Sequence, residues 1–336
     1  MSSSVVVNTR VLRPILATLS RLVPSGSTTI PIGIHVKDGM MTIVCVQGCL
    51  FQRAITVEDT DILYDATVIF RDVTALLEGE DAVEFQLMPV GVSLKTASLH
   101  VTFPMGYSTV ELQQFPTAGY KTIQGVGYHE GLRVFKRAAL DKLEKRAMSI
   151  KLDNGVALQK YPNVWIASRV SGMPINAVFE AEHIQLIDWF SPTEVYTEAP
   201  GSIVLKNKDG YLQIPCTAVN DTTKITDLMQ DLSEPVRVKV TDYMDKLTSA
   251  QRMLAQSMCH VTVTSDGFLT RCSAENISVE LKVGECSGAV IEAFDVPIQL
   301  WISTFKAINS DVLEILVGGG KVCLRTAEII MLLRVL

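Results

Sequence analysis

Three times along this chain a strand ending in phenylalanine runs into a short apolar helix and then three more strands, and this internal repeat constrains the fold more than any other feature. The strand ends are ATVIF at Phe70, INAVF at Phe179 and VIEAF at Phe294. The helices carry Val73, Leu76 and Leu77, then Ile184, Leu186, Ile187 and Phe190, then Ile298, Trp301, Ile302 and Phe305. The strands that follow correspond in order: VEFQL, EVYTEA and VLEILV, then VSLKT, SIVLK and KVCLRT, then LHVTF, GYLQIP and IIMLLRV. The anchors at 70, 179 and 294 lie 109 and 115 residues apart, a period too long for a solenoid or propeller unit. Each unit is therefore read as a domain, spanning residues 1–116, 117–218 and 233–336, with the polar segment 219–232 as a linker.

Within each third the pattern reads strand, helix, three strands, strand, helix, three strands, an internal duplication. Candidate helices span 8–23, 71–79, 129–147, 181–190, 242–256 and 297–309. In the first, Leu12, Ile15, Leu16 and Leu19 form a stripe at helical spacing, and Pro14 is placed near the start, where a missing N–H costs little. Aromatic residues make up only 7% of the chain, while Val, Ile and Leu recur in short alternating runs, as in strands with one buried face. The fold class expected is α+β, with two helices per domain packed on antiparallel sheets.

Catalytic constellations are poorly represented. The five histidines (His35, His100, His129, His183, His260) are isolated and make no metal-binding pair. No G-x-S-x-G elbow occurs, and Gly318-Gly319-Gly320-Lys321 lacks the spacing of a phosphate loop and reads as a hairpin turn between two strands. Glu78, Glu80 and Asp81, like Glu180 and Glu182, sit at turns and helix starts where acidic groups suit the helix dipole. The seven cysteines are odd in number and never spaced C-x-x-C, so reduced, mostly buried thiols are expected, with no metal and no cofactor. No run approaches the roughly 18 apolar residues of a membrane span, and the opening MSSSVVVNTR has no signal-peptide core. These features lead to the expectation of a soluble, intracellular protein with no membrane partner, and leave an enzyme possible only through a cluster that the fold assembles in space.

The net charge of −6 hides an uneven distribution. The six candidate helices hold thirteen basic and nine acidic side chains, a surplus of four, which leaves the rest of the chain at −10. Positive charge is enriched on the first helix of each unit: Arg10, Arg13 and Arg21; Arg133, Lys136, Arg137, Lys142, Lys145 and Arg146; Lys246 and Arg252. Arg71 and Lys306 add one cation each on second helices. Either these are the solvated faces of amphipathic helices or they form a surface for a polyanion.

Several segments together resemble the bacterial-type β sliding clamp, the ring that tethers DNA polymerase to its template. The opening VVVNTRVLRPILATLSRLVPSGSTTIPI resembles that family's first strand and helix, with Leu12-Arg13-Pro14-Ile15 and Thr29-Ile30-Pro31-Ile32 at the matching positions. The tail EIIMLLRVL resembles the family's terminal strand, with Met331, Leu333 and Arg334 on pattern and Leu332 in place of the usual Pro. SDGFLTRCSAENISVELKV resembles a strand pair of the third domain, and the chain's compact length suggests a phage-encoded version.

The resemblance implies a non-enzymatic processivity factor that encircles duplex DNA as a head-to-tail homodimer of six domains, with each chain forming half of the ring. Twelve inner helices at about 9 Å spacing give a circumference of ~108 Å and a clear hole of ~24 Å, room for duplex DNA and water. The thirteen basic residues named above would then face phosphates without reading sequence. Polymerase and clamp-loader subunits would dock a short hydrophobic peptide against Met331, Leu333 and Arg334, with Ser168 and Gly172 near the place of the family's second-domain wall. For Met331 and Leu333, packing in the core of the last strand is the other reading. The alternatives to a ring are a clamp-fold subunit of a hetero-oligomeric or non-closing assembly, and, in another class, an enzyme or a β-rich viral structural protein.

Overall fold

The structure, a computed structural model, describes residues 3–22, 27–58, 61–125, 127–138, 140, 149–208, 210–221, 224–240, 243–254, 257–264, 267–274, 277–283, 285–287 and 291–335. One order of elements occurs three times. First come β1 (Ser3–Asn8), α1 (Thr9–Leu22), β2 (Thr29–Lys37), β3 (Met40–Gln47), β4 (Cys49–Thr56), β5 (Tyr64–Arg71), a 3-10 turn (Thr74–Leu77), β6 (Ala82–Met88), β7 (Gly91–Lys95) and β8 (His100–Pro104). Next come β9 (Lys121–Thr122), α2 (Gly127–Ala138), β10 (Ser149–Asp153), β11 (Val156–Lys160), β12 (Val164–Arg169), β13 (Ala177–Glu180), α3 (Ala181–Phe190), β14 (Glu194–Tyr196), β15 (Ser202–Asn207) and β16 (Gly210–Pro215). Last come β17 (Val236–Lys239), α4 (Tyr243–Met253), β18 (Met258–Thr264), β19 (Gly267–Ala274), β20 (Ile277–Val283), a short β21 (Glu285–Ser287), β22 (Ile291–Pro297), α5 (Ile298–Ile308), β23 (Val312–Gly318), β24 (Lys321–Arg325) and β25 (Ile329–Arg334). The repeat anchors Phe70, Phe179 and Phe294 are all buried.

The expectations for two helices need correction. The helix placed over 71–79 is only the 3-10 turn Thr74–Leu77, and Arg71 is the last residue of β5. The Asp72 carboxylate accepts from the Thr74 N–H at 2.9 Å, and Gly79 turns the chain at φ +87°, so too few residues lie between to propagate an α-helix. Pro14 is the sixth residue of α1 rather than a first-turn residue, because Asn8 caps the helix by accepting from the Arg10 N–H at 2.8 Å. The helix placed over 129–147 is described only as Gly127–Ala138; Lys142, Lys145 and Arg146 lie outside the described residues.

The chain forms two compact units: Met1–Ile123 with Trp189–Cys216, and Gln124–Asp188 with Thr217–Leu336. The first unit holds a four-stranded sheet, β1-β6-β7-β8, and an eight-stranded one, β5-β2-β3-β4-β16-β15-β14-β9. The second holds a nine-stranded sheet, β13-β10-β11-β12-β25-β24-β23-β17-β21, and a four-stranded one, β20-β19-β18-β22. All pairings are antiparallel. In each long sheet a β2-type motif from one third of the chain joins, through an antiparallel contact, a β6-type motif from the next third. The joints are β4 with β16 (Phe51 opposite Leu212) and β12 with β25 (Ile166 opposite Met331).

One face of each long sheet packs on apolar helix and strand residues. In the first unit Ile32, Ile34, Ile43, Phe51, Val68 and Phe70 are buried, as is the α1 stripe Leu12, Ile15, Leu16 and Leu19 that the spacing predicts. In the second unit the buried set includes Ile150, Ile166, Met331 and Leu324, with α2 and α5 against β12 and β25. The buried polar groups near α5 are satisfied: the Trp301 indole N–H donates to the Tyr243 hydroxyl at 2.8 Å, which lies 2.6 Å from the Thr270 hydroxyl.

The opposite face of each long sheet is crossed by a connecting segment. In the first unit this is residues 105–120. Gly106 N–H donates to the Thr67 carbonyl at 2.8 Å, Val110 N–H donates to the Thr67 hydroxyl at 2.8 Å, and the Val110 carbonyl lies 3.1 Å from His35 Nε2. Gln113 and Gln52 bond reciprocally, and Phe115 stacks on Tyr211 at 4.3 Å. In the second unit it is formed by the described residues of 219–232, expected to be an irregular polar linker, which instead contain the 3-10 turn Ile225–Met229 and pack their apolar side chains. Ile225 lies on Leu158 and Ala167, and Leu228, Met229 and Leu232 lie on Leu316, Cys323 and Leu332. Lys151 and Lys160 hold Asp221, and Ser233 bonds to Val317 in both directions.

Both straps pass so close that the strand beneath them has glycine. A Cβ on Gly33 would collide with the Val110 carbonyl, and one on Gly318 with the Asp231 carbonyl. Gly319 and Gly320, at φ +56° and +69°, make the two-residue hairpin turn that the sequence suggests. Gly318→Ala is therefore expected to cost about 1–3 kcal/mol by overpacking, read as a lowered denaturant midpoint. The comparison is Gly48→Ala, where φ is +66° but nothing lies within 4 Å, so only the backbone cost of about 1 kcal/mol remains. Equal costs at the two positions would show that the Asp231 contact is not tight.

Candidate nucleic-acid interface

The helices place the sequence-selected cations on their solvent-facing sides. On α1, Arg10, Arg13 and Arg21 recur at spacings of three and eight, on one arc opposite the buried leucine stripe. Arg10 and Arg21 are exposed and Arg13 is half-buried; the Arg21 guanidinium lies 4.8 Å from the centre of the Trp189 ring. On α4, Lys246 and Arg252 are exposed beside a stripe formed by Tyr243, Leu247 and Ala250. Lys306 is the exposed cation of the otherwise largely buried α5, and Arg71 is exposed at the end of β5.

On α2 the outward arc is not simply positive. Leu132, Val134, Phe135 and Ala138 are buried and turn Arg133, Lys136 and Arg137 outward, but carboxylates meet two of the three. Glu130 accepts from Arg133 at 3.2 Å and from Arg137 at 2.9 Å. Asp188, from α3, accepts from Arg133 Nε at 3.4 Å and lies 2.7 Å from His129 Nδ1. Lys136 forms no ion pair among the described residues. Glu130 lies within one helix of its partners, so its role was readable from its i,i+3 and i,i+7 positions. Asp188, 55 residues from Arg133, and Trp189 beneath Arg21 carry no sequence signal.

The electrostatic environment follows from these pairs. The Arg137 hydrogen bond, opposed by partial burial and helped by Arg133, holds the Glu130 carboxyl below the usual glutamate range. Burial, with the Asp188 charge adding to it, pushes the Tyr128 phenol up to about 12, so it stays a neutral hydroxyl stacked 4.1 Å from the His129 ring.

The proposed peptide-site residues divide by face. Met331 and Leu333 have 0% exposure and sit on the helix side of the nine-stranded sheet, with Ser168 beside them at 1%. The Ser168 hydroxyl has no hydrogen-bond partner among the described residues. Arg334 and Gly172 are exposed, and Gly172, at φ +79°, accepts from the Gln124 N–H at 3.0 Å. The first unit also carries an open cleft of about 730 Å³ whose lining includes Arg53, Lys206, Lys208 and Glu194, the last paired with Lys206 at 2.8 Å. Arg53, on β4, and Lys208, just after β15, lie outside the candidate helices.

Among the described residues, one group has the composition of a cation site: Glu180, Glu182 and His183, with ligand atoms within 4.8 Å of one another. It sits at the N-terminus of α3, whose dipole opposes a cation, and both carboxylates are exposed. No helix among the described residues is long and apolar enough to cross a membrane.

The α2 ion pairs make a pH prediction. Because Glu130 has a lower pKa folded than unfolded, its contribution is fully present above the ordinary glutamate range and is lost as pH falls through the folded value. Glu130→Gln is expected to lower the thermal midpoint slightly at neutral pH, by less than about 1 kcal/mol since the pairs are exposed. The gap to wild type should close in acid and shrink in high salt, as followed by circular dichroism. A gap that persists in acid would mean that Glu130 acts through packing.

No protein-family model matches this sequence, and no curated protein matches it. Solved structures do. The Helicobacter pylori beta clamp bound to a DNA ligase peptide aligns over 99% of this chain and 100% of its own, at 11% identity and a TM-score of 0.77. The DNA polymerase III beta subunit of Thermotoga maritima aligns over 100% and 99%, at 10% identity and a TM-score of 0.78. The beta chain of Streptococcus pneumoniae aligns over the whole of both chains, at 10% identity and a TM-score of 0.74. With the threefold element order, the fused sheets and full-length superposition on these proteins, this α+β chain has the fold of the bacterial DNA polymerase III β sliding clamp.

Proposed function

We propose that this chain is a DNA sliding clamp: a non-catalytic processivity factor made of three clamp domains, 1–116, 117–218 and 233–336, that closes as a head-to-tail homodimer around duplex DNA. The observation that carries the reading is the arithmetic of sheet edges. Twice within the chain, the outer strand of a β2-type motif pairs with the outer strand of the next third's β6-type motif, as β4 with β16 and β12 with β25. The third β2-type motif ends in β20 and the first β6-type motif ends in β8, and both are outermost strands. Pairing β20 of one copy with β8 of another repeats the in-chain joint and removes the open edges. Two such joints close a ring of six domains.

The cations of α1, α2, α4 and α5 would then supply sequence-independent attraction to phosphates, while topology holds the DNA. On α2 the exposed Lys136 is the readiest contact, and Arg133 and Arg137 would exchange Glu130 and Asp188 for phosphates on binding. A polymerase or loader would attach through a short hydrophobic peptide; the Helicobacter pylori beta clamp is bound to a DNA ligase peptide. For this chain the peptide would lie against the exposed Gly172 and Arg334, while Met331, Leu333 and Ser168, buried on the helix side of the sheet, would support the site only by packing beneath it. A cytoplasmic location, in a cell or a phage-infected host, goes with this role.

The oligomer and the charge are tested separately. Native mass spectrometry should give a dimer and low-resolution imaging a closed ring; Ile277→Asp on β20 with Val101→Asp on β8 should shift the dimer to monomer with the fold intact. A wild-type monomer or an odd oligomer would sink the homodimeric ring, whereas a dimer formed only with a second clamp-fold chain would favour the hetero-oligomer. Lys136→Ala, Lys246→Ala and Lys306→Ala together should weaken low-salt DNA association and reduce the salt slope by about 0.9 for each phosphate that is no longer neutralised, leaving the dimer unchanged. An unchanged slope would remove these lysines from the interface.

A further inference from the structure

Cys259 on β18 and Cys272 on β19 stand directly opposite each other in the antiparallel register. Opposite residues in such a pair have Cα atoms about 4.5–5.5 Å apart, inside the ~4.4–6.8 Å that a disulfide spans. Both side chains point into the interior, with 0% exposure, and their sulfurs are 2.6 Å apart. Their neighbours across the sheet are Val296 beside Cys259 and Val279 beside Cys272. No histidine or carboxylate joins them in a potential metal-binding group among the described residues, so two sulfurs alone cannot complete a tetrahedral zinc site.

We propose that Cys259 and Cys272 are a redox-active pair that closes to a cross-strand disulfide on reaction with a low-molecular-weight disulfide such as oxidised glutathione. One thiolate of the pair attacks one sulfur of the reagent, giving a mixed disulfide and expelling one glutathione thiolate. The thiolate of the other cysteine then attacks the protein sulfur and expels the second. Two protein thiols are oxidised, one glutathione disulfide is reduced to two thiols, and the two protons pass to the leaving thiolates.

The pair differs from the other buried thiols. What sets it apart is geometry: Cys45 and Cys323 are also buried, which pushes both up to about 12, but neither faces a cysteine across its strand pairs. Within the pair the two sulfurs are hydrogen-bonded to each other, which draws the ionisation of one thiol below that of its partner. The bond would join β18 to β19, one strand behind the outer strand β20. It stands independently of the clamp function.

The test uses the full-length chain in two arms: native protein incubated with oxidised glutathione, and protein refolded from denaturant in a glutathione redox buffer, so that burial cannot block the reagent. After acid quench, denaturing alkylation and digestion, the proposal expects two of the seven thiols to be consumed and a Cys259–Cys272 linked peptide. The intact chain should be lighter by two hydrogens, a change that dithiothreitol reverses. The thermal midpoint should be higher oxidised than reduced. Cys272→Ser should abolish the linked peptide while keeping the native circular dichroism spectrum. Alkylation of both cysteines in the refolding arm, or glutathione adducts without the linked peptide, would overturn the proposal. Linkage in the refolding arm alone would keep the pairing and overturn its redox activity in the folded protein.

Discussion

Backbone hydrogen bonding at sheet edges governs this molecule. A four-stranded antiparallel motif has two open rows of N–H and C=O groups, and here four of the six motifs lose one row by joining a motif from the neighbouring third. The joints β4 with β16 and β12 with β25 turn short sheets into continuous ones of eight and nine strands. Because each joint links residues far apart in sequence, it also makes the middle third contribute strands to both compact units. The two motifs without an in-chain partner, at the first and last thirds, end in the outermost strands β8 and β20.

Continuous sheets require cover on both faces, and the chain supplies it economically. Helices and apolar strand faces cover one side; the connecting segments 105–120 and 219–232 lie across the other. A strap can lie against pleated backbone only where side chains leave room, and Gly33 and Gly318 leave that room under Val110 and Asp231. The second connector looks polar because its polar residues outnumber its apolar ones. Ile225, Leu228, Met229 and Leu232 nevertheless reach Leu158, Leu316 and Leu332, which would otherwise be wet.

Charge shows the same dependence on distant partners. The surplus of cations on α2 is reduced by Glu130 on the same helix and by Asp188 from α3, so the exposed positive charge there is concentrated on Lys136. The pairs also hold Arg133 and Arg137 in fixed positions at no large energetic gain, since exposed ion pairs contribute little. A competing anion could therefore displace these carboxylates at little cost.

Much of the fold was legible because its signals are local. The buried Phe70, Phe179 and Phe294, the period-two strands, the α1 stripe and the Gly318-Gly319-Gly320 turn depend on neighbours a few residues away, and a threefold repeat amplifies each signal. Where local competition decided the outcome, sequence reading failed: the Asp72 turn and Gly79 reduce the 71–79 helix to a single 3-10 turn. The candidate site was legible only as residue types on helix faces. Which arginines are paired, that Met331 and Leu333 lie on the buried face, and that Cys259 meets Cys272 follow from sheet register and helix packing. By itself the sequence determined the strand and helix periods, the repeat and the sign of the helices, because these follow from which side chains share a face. Only the tertiary structure decided the sheet joints, the straps and the charge partners, because those contacts span tens to hundreds of residues and form only when backbone groups must be satisfied away from water.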